Sequence, residues 1–284
     1  MTLPPHSLTA TATGPIGVFD SGFGGLTVLQ EIRARLPHYD YLFLGDNARA
    51  PYGGHSFDVV YQYTLQGVEA LFEQGCHLVI LACNTASAKA LRTIQQHDLE
   101  KIDPNRRVLG VIRPTAEIVG HLTTTRHVGL LATPGTISSK SYDMEIQKLH
   151  PDVKVTGVAC PMWVPLVENF EYDKPGADYF VKAKIDELME RDRQIDVMIL
   201  GCTHFPFLLP KIAHYLPTCV KAISQGQYVA ERLEDYLHRH QEMDFKCSKG
   251  GSCRYLTTED SEIFNKTARL FLREDVNAMQ IVLN

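Results

Sequence analysis

The chain has 284 residues, 44% of them hydrophobic and 21% charged, and can bury a full core without disulfides or cofactors to brace it. Its formal net charge of −5 comes with no basic stripe, which argues against nucleic acid as a partner. Seven cysteines, an odd number spread along a long chain, make no disulfide framework and point to a reducing compartment, so the cytoplasm is the expected location.

Residues 1–14 lack Lys and Arg and hold no continuous apolar run, so they read as a disordered tail and not as a signal peptide or membrane span. Beyond them, short β-type runs alternate with longer segments of helical period, the pattern of an α/β protein with parallel sheets flanked by helices. Strands are expected at 16–19, 41–44, 78–81, 108–112, 128–131, 153–158 and 197–200. Helices are expected at 57–74 and 178–190, the latter with Val181, Ile185, Leu188 and Met189 on one face.

The first strand ends in Asp20-Ser21-Gly22-Phe23-Gly24-Gly25, whose glycines let backbone N–H groups converge on an anion at the start of a helix. Thr27 stands where a dinucleotide fingerprint has its third glycine, so a carboxylate suits this turn better than a pyrophosphate. Asp20 as a simple helix cap is the bland alternative. The second strand leads into residues 45–54, where turn chemistry runs throughout; Tyr52 and the backbone around it either line a cleft or merely connect.

Two later strands deliver cysteines in the same way. Val79-Ile80-Leu81-Ala82-Cys83-Asn84-Thr85 and Met198-Ile199-Leu200-Gly201-Cys202-Thr203-His204 each run from an apolar strand through a small residue to a thiol and polar followers. Ligands of open α/β sheets bind past the carboxyl ends of the strands, so each thiol sits where chemistry occurs. A thiol needs its pKa lowered to act as a base at neutral pH. Asn84 to Ser87 and Thr203 to Pro206 read as first helical turns whose dipoles would lower it. The strand at 16–19 and its turn also resemble His127 to Gly135, so the chain reads as two similar lobes around a cleft. One base and one acid on opposite faces of a carbon is what racemisation requires.

Other residues carry weaker signals. His204 shares a turn with Cys202 and can tune it or relay its proton. Glu168 ends an apolar stretch and reads as structural. His238, His240, Cys247 and Cys253 invite a zinc reading, but Cys247 and Cys253 are spaced too widely for the usual ligand pair, and no metal is expected. Stoichiometric zinc in the purified protein would overturn that.

Taken together, Asp20-Ser21-Gly22-Phe23-Gly24-Gly25-Leu26-Thr27-Val28, Pro51-Tyr52-Gly53, Ala82-Cys83-Asn84-Thr85-Ala86-Ser87, Ala159-Cys160-Pro161 with Pro165-Leu166-Val167-Glu168, and Gly201-Cys202-Thr203-His204 resemble the glutamate racemase family. The likeness spans about residues 15–275. It implies cofactor-independent interconversion of L- and D-glutamate for peptidoglycan synthesis, with Cys83 and Cys202 as paired acid and base, assisted by Asp20 and His204. Substrate contacts carried over by motif are Asp20, Ser21, Pro51, Tyr52, Gly53, Asn84, Thr85, Thr203 and His204. The resemblance also implies two pseudo-symmetric α/β lobes, residues 15–108 with 221–284 and residues 109–220, and a homodimer. Arg113 stands where many members carry Glu, and Phe170 where many carry Gly.

A racemase for aspartate or another small amino acid shares the thiol pair and differs in the pocket. A non-catalytic amino-acid-binding protein has no need of two matched thiols, and a redox protein would be expected to carry a Cys-x-x-Cys motif. Cys83→Ala and Cys202→Ala are each expected to abolish turnover while leaving the fold intact, read by a racemisation assay beside circular dichroism; a fully active Cys202→Ala protein sinks the two-thiol reading.

Overall fold

The computed structural model describes residues 13–283. Most of the expected tail, residues 1–12, lies outside the described residues. Gly14, also assigned to that tail, is instead bridged to Cys247. Its N–H donates to the Lys246 carbonyl at 2.9 Å, and its own carbonyl accepts from Ser248 at 2.8 Å.

The described residues form ten strands in two parallel sheets. These are β1 (Ile16–Asp20), β2 (Tyr41–Gly45), β3 (Leu78–Leu81), β4 (Arg107–Gly110), β5 (His127–Ala132), β6 (Lys154–Ala159), β7 (Val197–Gly201), β8 (Lys221–Ile223), β9 (Cys253–Thr257) and β10 (Ala278–Gln280). The six-stranded sheet runs β10-β9-β2-β1-β3-β4 and the four-stranded sheet β6-β5-β7-β8. Every residue of β1, β2, β3 and β7 is buried, as strands covered by helices on both faces must be. That is why they read as continuous apolar runs.

The order β2-β1-β3-β4 repeats as β6-β5-β7-β8, so β1 corresponds to β5 and β3 to β7. The sequence repeat paired the same segments. Two chain crossings join the lobes. β4 leads through Val111 into the helix Ile112–Leu122, which packs on the helix Ser141–Leu149 of the second lobe. β8 leads through Gln225 into the helix Gly226–Arg239, which packs back on the helix Gly25–Arg35 of the first.

The structure corrects several boundaries. The strand expected at 108–112 ends at Gly110, and Ile112 already begins a helix. Pro114 fits there because the first-turn N–H groups of a helix have no intrahelical partner to lose. The lobe boundary drawn after residue 108 therefore cuts β4, which pairs with β3. The boundary drawn after residue 220 cuts ahead of β8, which pairs with β7 in the second sheet and not with the first lobe. The C-terminal segment adds β9 beside β2 and β10 beside β9. Phe170, at the position where glycine is expected from the resemblance, has φ of 56°, a left-handed backbone that glycine adopts at no steric cost.

Gly67 shows how tightly the first lobe packs. It lies in the helix Phe57–Glu73, and a Cβ there would stand 2.3 Å from Cε2 of Phe19 on β1. Gly67→Ala is expected to destabilise the fold by about 1–3 kcal/mol, the usual range for overpacking a filled core, as read by urea unfolding.

Candidate active site

Asp20, Cys83 and Cys202 all leave the carboxyl ends of central strands: Asp20 closes β1, Cys83 follows β3 by two residues, and Cys202 follows β7 directly. In each sheet this is the switch point, between β1 and β3 in one and between β5 and β7 in the other. Both cysteines are 6% exposed.

Cys83 caps the short helix Asn84–Lys89, its Sγ accepting from the Ala86 N–H at 3.4 Å. The Ser21 hydroxyl lies 3.3 Å from the same sulfur. These contacts favour a thiolate, yet burial and the neighbouring Asp20 carboxylate outweigh them, and the thiol is pushed up to about 12. The expectation that the helix terminus lowers this thiol toward neutrality is thus overturned. A six-residue helix carries too little dipole to offset removal from water.

Asp20 is fully buried, and burial raises its carboxyl above the ordinary aspartate range, opposed by the His204 charge and by the backbone of Gly25 and Gly22. Its Oδ2 accepts from the Gly22 N–H at 3.0 Å, while Oδ1 is buried with no partner. The glycine turn therefore gives an amide to the protein's own carboxylate, not only to an outside anion.

The second thiol is built differently. Phe205–Leu208 is a 3-10 turn and the α-helix begins only at Leu209, so Cys202 does not cap a helix as expected. Its neighbour is His204, whose Nδ1 lies 3.8 Å from Sγ. The opposite ring nitrogen, Nε2, lies 3.0 Å from Oε1 of Glu168. Burial alone would lower the imidazole, but the Cys202 and Glu168 contacts prevail and raise it to about 10. Both contacts thus favour the protonated ring.

Glu168, read as structural in the sequence, is brought against His204 by the fold. Its helix, Trp163–Glu168, is seated by Trp163, whose ring meets Phe205 edge to face at 4.7 Å between centroids. One aromatic contact thus fixes the carboxylate beside the turn that carries His204. Its signals in the sequence were an acidic residue closing an apolar helical run and its place in the Pro165-Leu166-Val167-Glu168 motif.

The lobes meet directly here. The Thr27 hydroxyl donates to the Thr203 carbonyl at 3.1 Å, and the Thr85 and Thr133 hydroxyls lie 2.9 Å apart. A Cβ on Gly24 would stand 2.3 Å from Thr203 Oγ1 and 2.4 Å from His204 Nδ1, so only glycine allows this approach. A Cβ on Gly53 would meet Thr133 at 2.9 Å. Tyr52 is buried and donates to Asp46 Oδ2, which also takes the Arg49 guanidinium at 2.7 Å. Asp46, buried and unremarked in the sequence, thus holds the loop that carries Tyr52.

Of the residues expected at the site, Asp20, Ser21, Tyr52, Asn84, Thr85, Thr203 and His204 are buried around the two thiols' strand ends, Gly53 abuts Thr133, and Pro51 is exposed. A cavity of about 600 Å³ lined by Ser87, Arg92, Arg113, Glu117 and Arg232 holds none of them. Among the described residues no three His, Cys, Asp or Glu side chains gather as a metal cluster. His240 lies 3.3 Å from Glu242, and Cys247 is buried with its thiol pushed up to about 12. No described helix is long and apolar enough to cross a membrane.

Residues 26–233 match the family of Asp/Glu/Hydantoin racemases. A glutamate racemase of Paracoccus denitrificans is 40% identical over 271 residues, covering 92% of this chain and 97% of that one. Among solved structures, the glutamate racemase isoform RacE1 of Bacillus anthracis superposes with a TM-score of 0.86 at 32% identity, covering 95% of this chain and 98% of that one. The Francisella tularensis glutamate racemase in complex with D-glutamate gives 0.85 at 30% identity, covering 96% and 98%. With two thiols at matched strand ends and relatives aligned over nearly its whole length, the chain belongs to the Asp/Glu/Hydantoin racemase family and is an amino-acid racemase, an isomerase.

Proposed function

We propose that this enzyme interconverts L- and D-glutamate, with Cys83 and Cys202 working from opposite faces of the α-carbon. The pair of buried thiols at equivalent positions of two repeated sheets carries this reading. The glutamate racemases of high coverage supply the substrate.

An α-hydrogen beside a carboxylate is a very weak acid, so the site must supply a strong base and stabilise the carbanion by fixed donors in a dry cleft. A thiolate formed from a group as high as Cys83 is a correspondingly strong base. Asp20, raised by the same burial, is suited to take the Cys83 proton. On the other side His204 already carries a proton, and Glu168 holds its ring toward Cys202. In one direction Cys83 removes the α-proton and Cys202 returns one to the far face, refilled from His204; in the other the roles exchange. Ser21, Asn84, Thr85 and Thr203 supply donors for the substrate carboxylate, and Asp20 Oδ1, lacking a donor, suits the substrate ammonium. Tyr52, Gly53 and Pro51 form the rim. The resemblance further implies a homodimer acting in the cytoplasm, where the thiols stay reduced, and feeding D-glutamate to peptidoglycan synthesis.

Incubation with L-glutamate in deuterated water tests the reading. Optical rotation is expected to decay to zero while deuterium replaces the α-hydrogen; unchanged rotation overturns it. A second test uses the pH profile. The proton-carrying form of His204 exists below its raised pKa and is lost above it, and Glu168 contributes to that rise. Glu168→Gln is therefore expected to move the basic limb of kcat/KM to lower pH, with a loss on the order of 10²-fold at alkaline pH.

A further inference from the structure

Asn84 follows Cys83 directly, and its side chain is locked into a closed ring of hydrogen bonds drawn from three parts of the fold. Its Nδ2 donates to Oε1 of Gln225 at 2.6 Å. Gln225 Nε2 donates to the Tyr142 hydroxyl. The Tyr142 hydroxyl donates to Oδ1 of Asn84 at 2.8 Å. Each group gives one hydrogen and takes one, so every bond polarises the next. All three side chains are buried.

The three residues have different origins. Asn84 belongs to the first lobe, Tyr142 to the second-lobe helix Ser141–Leu149, and Gln225 to the crossing between β8 and the helix Gly226–Arg239. Gln225 Nε2 also lies within hydrogen-bonding distance of Thr115 Oγ1 at 3.1 Å and the Val111 carbonyl at 3.3 Å, both at the other crossing. The ring uses one hydrogen of Asn84 Nδ2 and leaves the second for another acceptor. Without it the Asn84 amide could turn about its last torsion and exchange a donor for an acceptor.

We propose that Tyr142 and Gln225 are positioning residues, which hold the Asn84 amide with its free N–H toward the substrate carboxylate and tie that orientation to the contact between the two lobes. This rests on glutamate as the substrate. Neither residue adjoins a cysteine in sequence, and neither reaches the reacting carbon in this scheme; they act through Asn84.

Tyr142→Phe removes one hydroxyl and keeps the ring that fills the core. It is expected to raise KM for glutamate about tenfold while kcat changes less, because a misdirected donor weakens binding and orientation together. Asn84→Ala is expected to lose more, and the Tyr142→Phe/Asn84→Ala double variant no more than Asn84→Ala alone. Gln225→Met, which removes the ring's donor and acceptor at similar length without placing a charge in the core, should reproduce the KM effect and serves if Tyr142→Phe folds poorly. A merely structural role would instead lower the melting temperature and the active fraction, reducing apparent kcat at unchanged KM. Losses that multiply in the double variant, or wild-type KM in both ring variants, overturn the proposal. A wild-type protein inactive on glutamate in the same assay would overturn the substrate reading instead.

Discussion

Removal from water is the constraint on which the site depends. It pushes the Cys83 thiol and the Asp20 carboxyl up, so the protein must gather compensating groups around any charge it keeps there. The His204 cation is the main one. It is held by Glu168 through one nitrogen and faces Cys202 through the other, and its charge also reaches Asp20 in the opposite lobe. The two thiols occupy equivalent positions in a repeated fold but not equivalent environments. One has a hydroxyl and a helix amide; the other has an imidazolium.

That asymmetry is built on a symmetrical frame. Each repeat contributes one strand-end thiol at its switch point, and the two lie close enough for Cys202 to act on Cys83 electrostatically. What differs is the segment that follows. After β3 a helix begins at once, whereas after β7 the 3-10 turn with Pro206 delays the helix and leaves room for His204 beside the sulfur. Phe205 in that turn meets Trp163, so the departure from helical geometry is also what seats Glu168.

Strand-end motifs were legible in the sequence because their chemistry is contiguous. Asp20, Cys83, Cys202 and His204 each lie within three residues of an apolar strand, and the parallel topology does the rest. Glu168 was not legible as a site residue because its partner is 36 positions away and tertiary packing, with Trp163 against Phe205, brings them together. Asp46, Tyr142 and Gln225 escaped for the same reason, since a lone buried polar residue has no period. The lobe boundary after residue 220 missed by a few residues because β8 is three residues long and carries almost no pattern of its own. Cys83 misled in the other direction: its helical followers were read correctly, but the cost of burial cannot be seen in a string of residues.

Two bodies joined at two points can rotate only about the line through those points. The crossings at Val111 and Gln225 are such points, and the hydrogen bond from Gln225 Nε2 to the Val111 carbonyl draws them close together. A rotation of one lobe against the other about these crossings would open the cleft like a book on a short spine. Groups beside the spine travel least, and Asn84, tied to Gln225, is among them. The turns holding Gly24 and Gly53 touch the opposite lobe as well. An edge anchored at such a spine is the part of the cleft that an opening would disturb least.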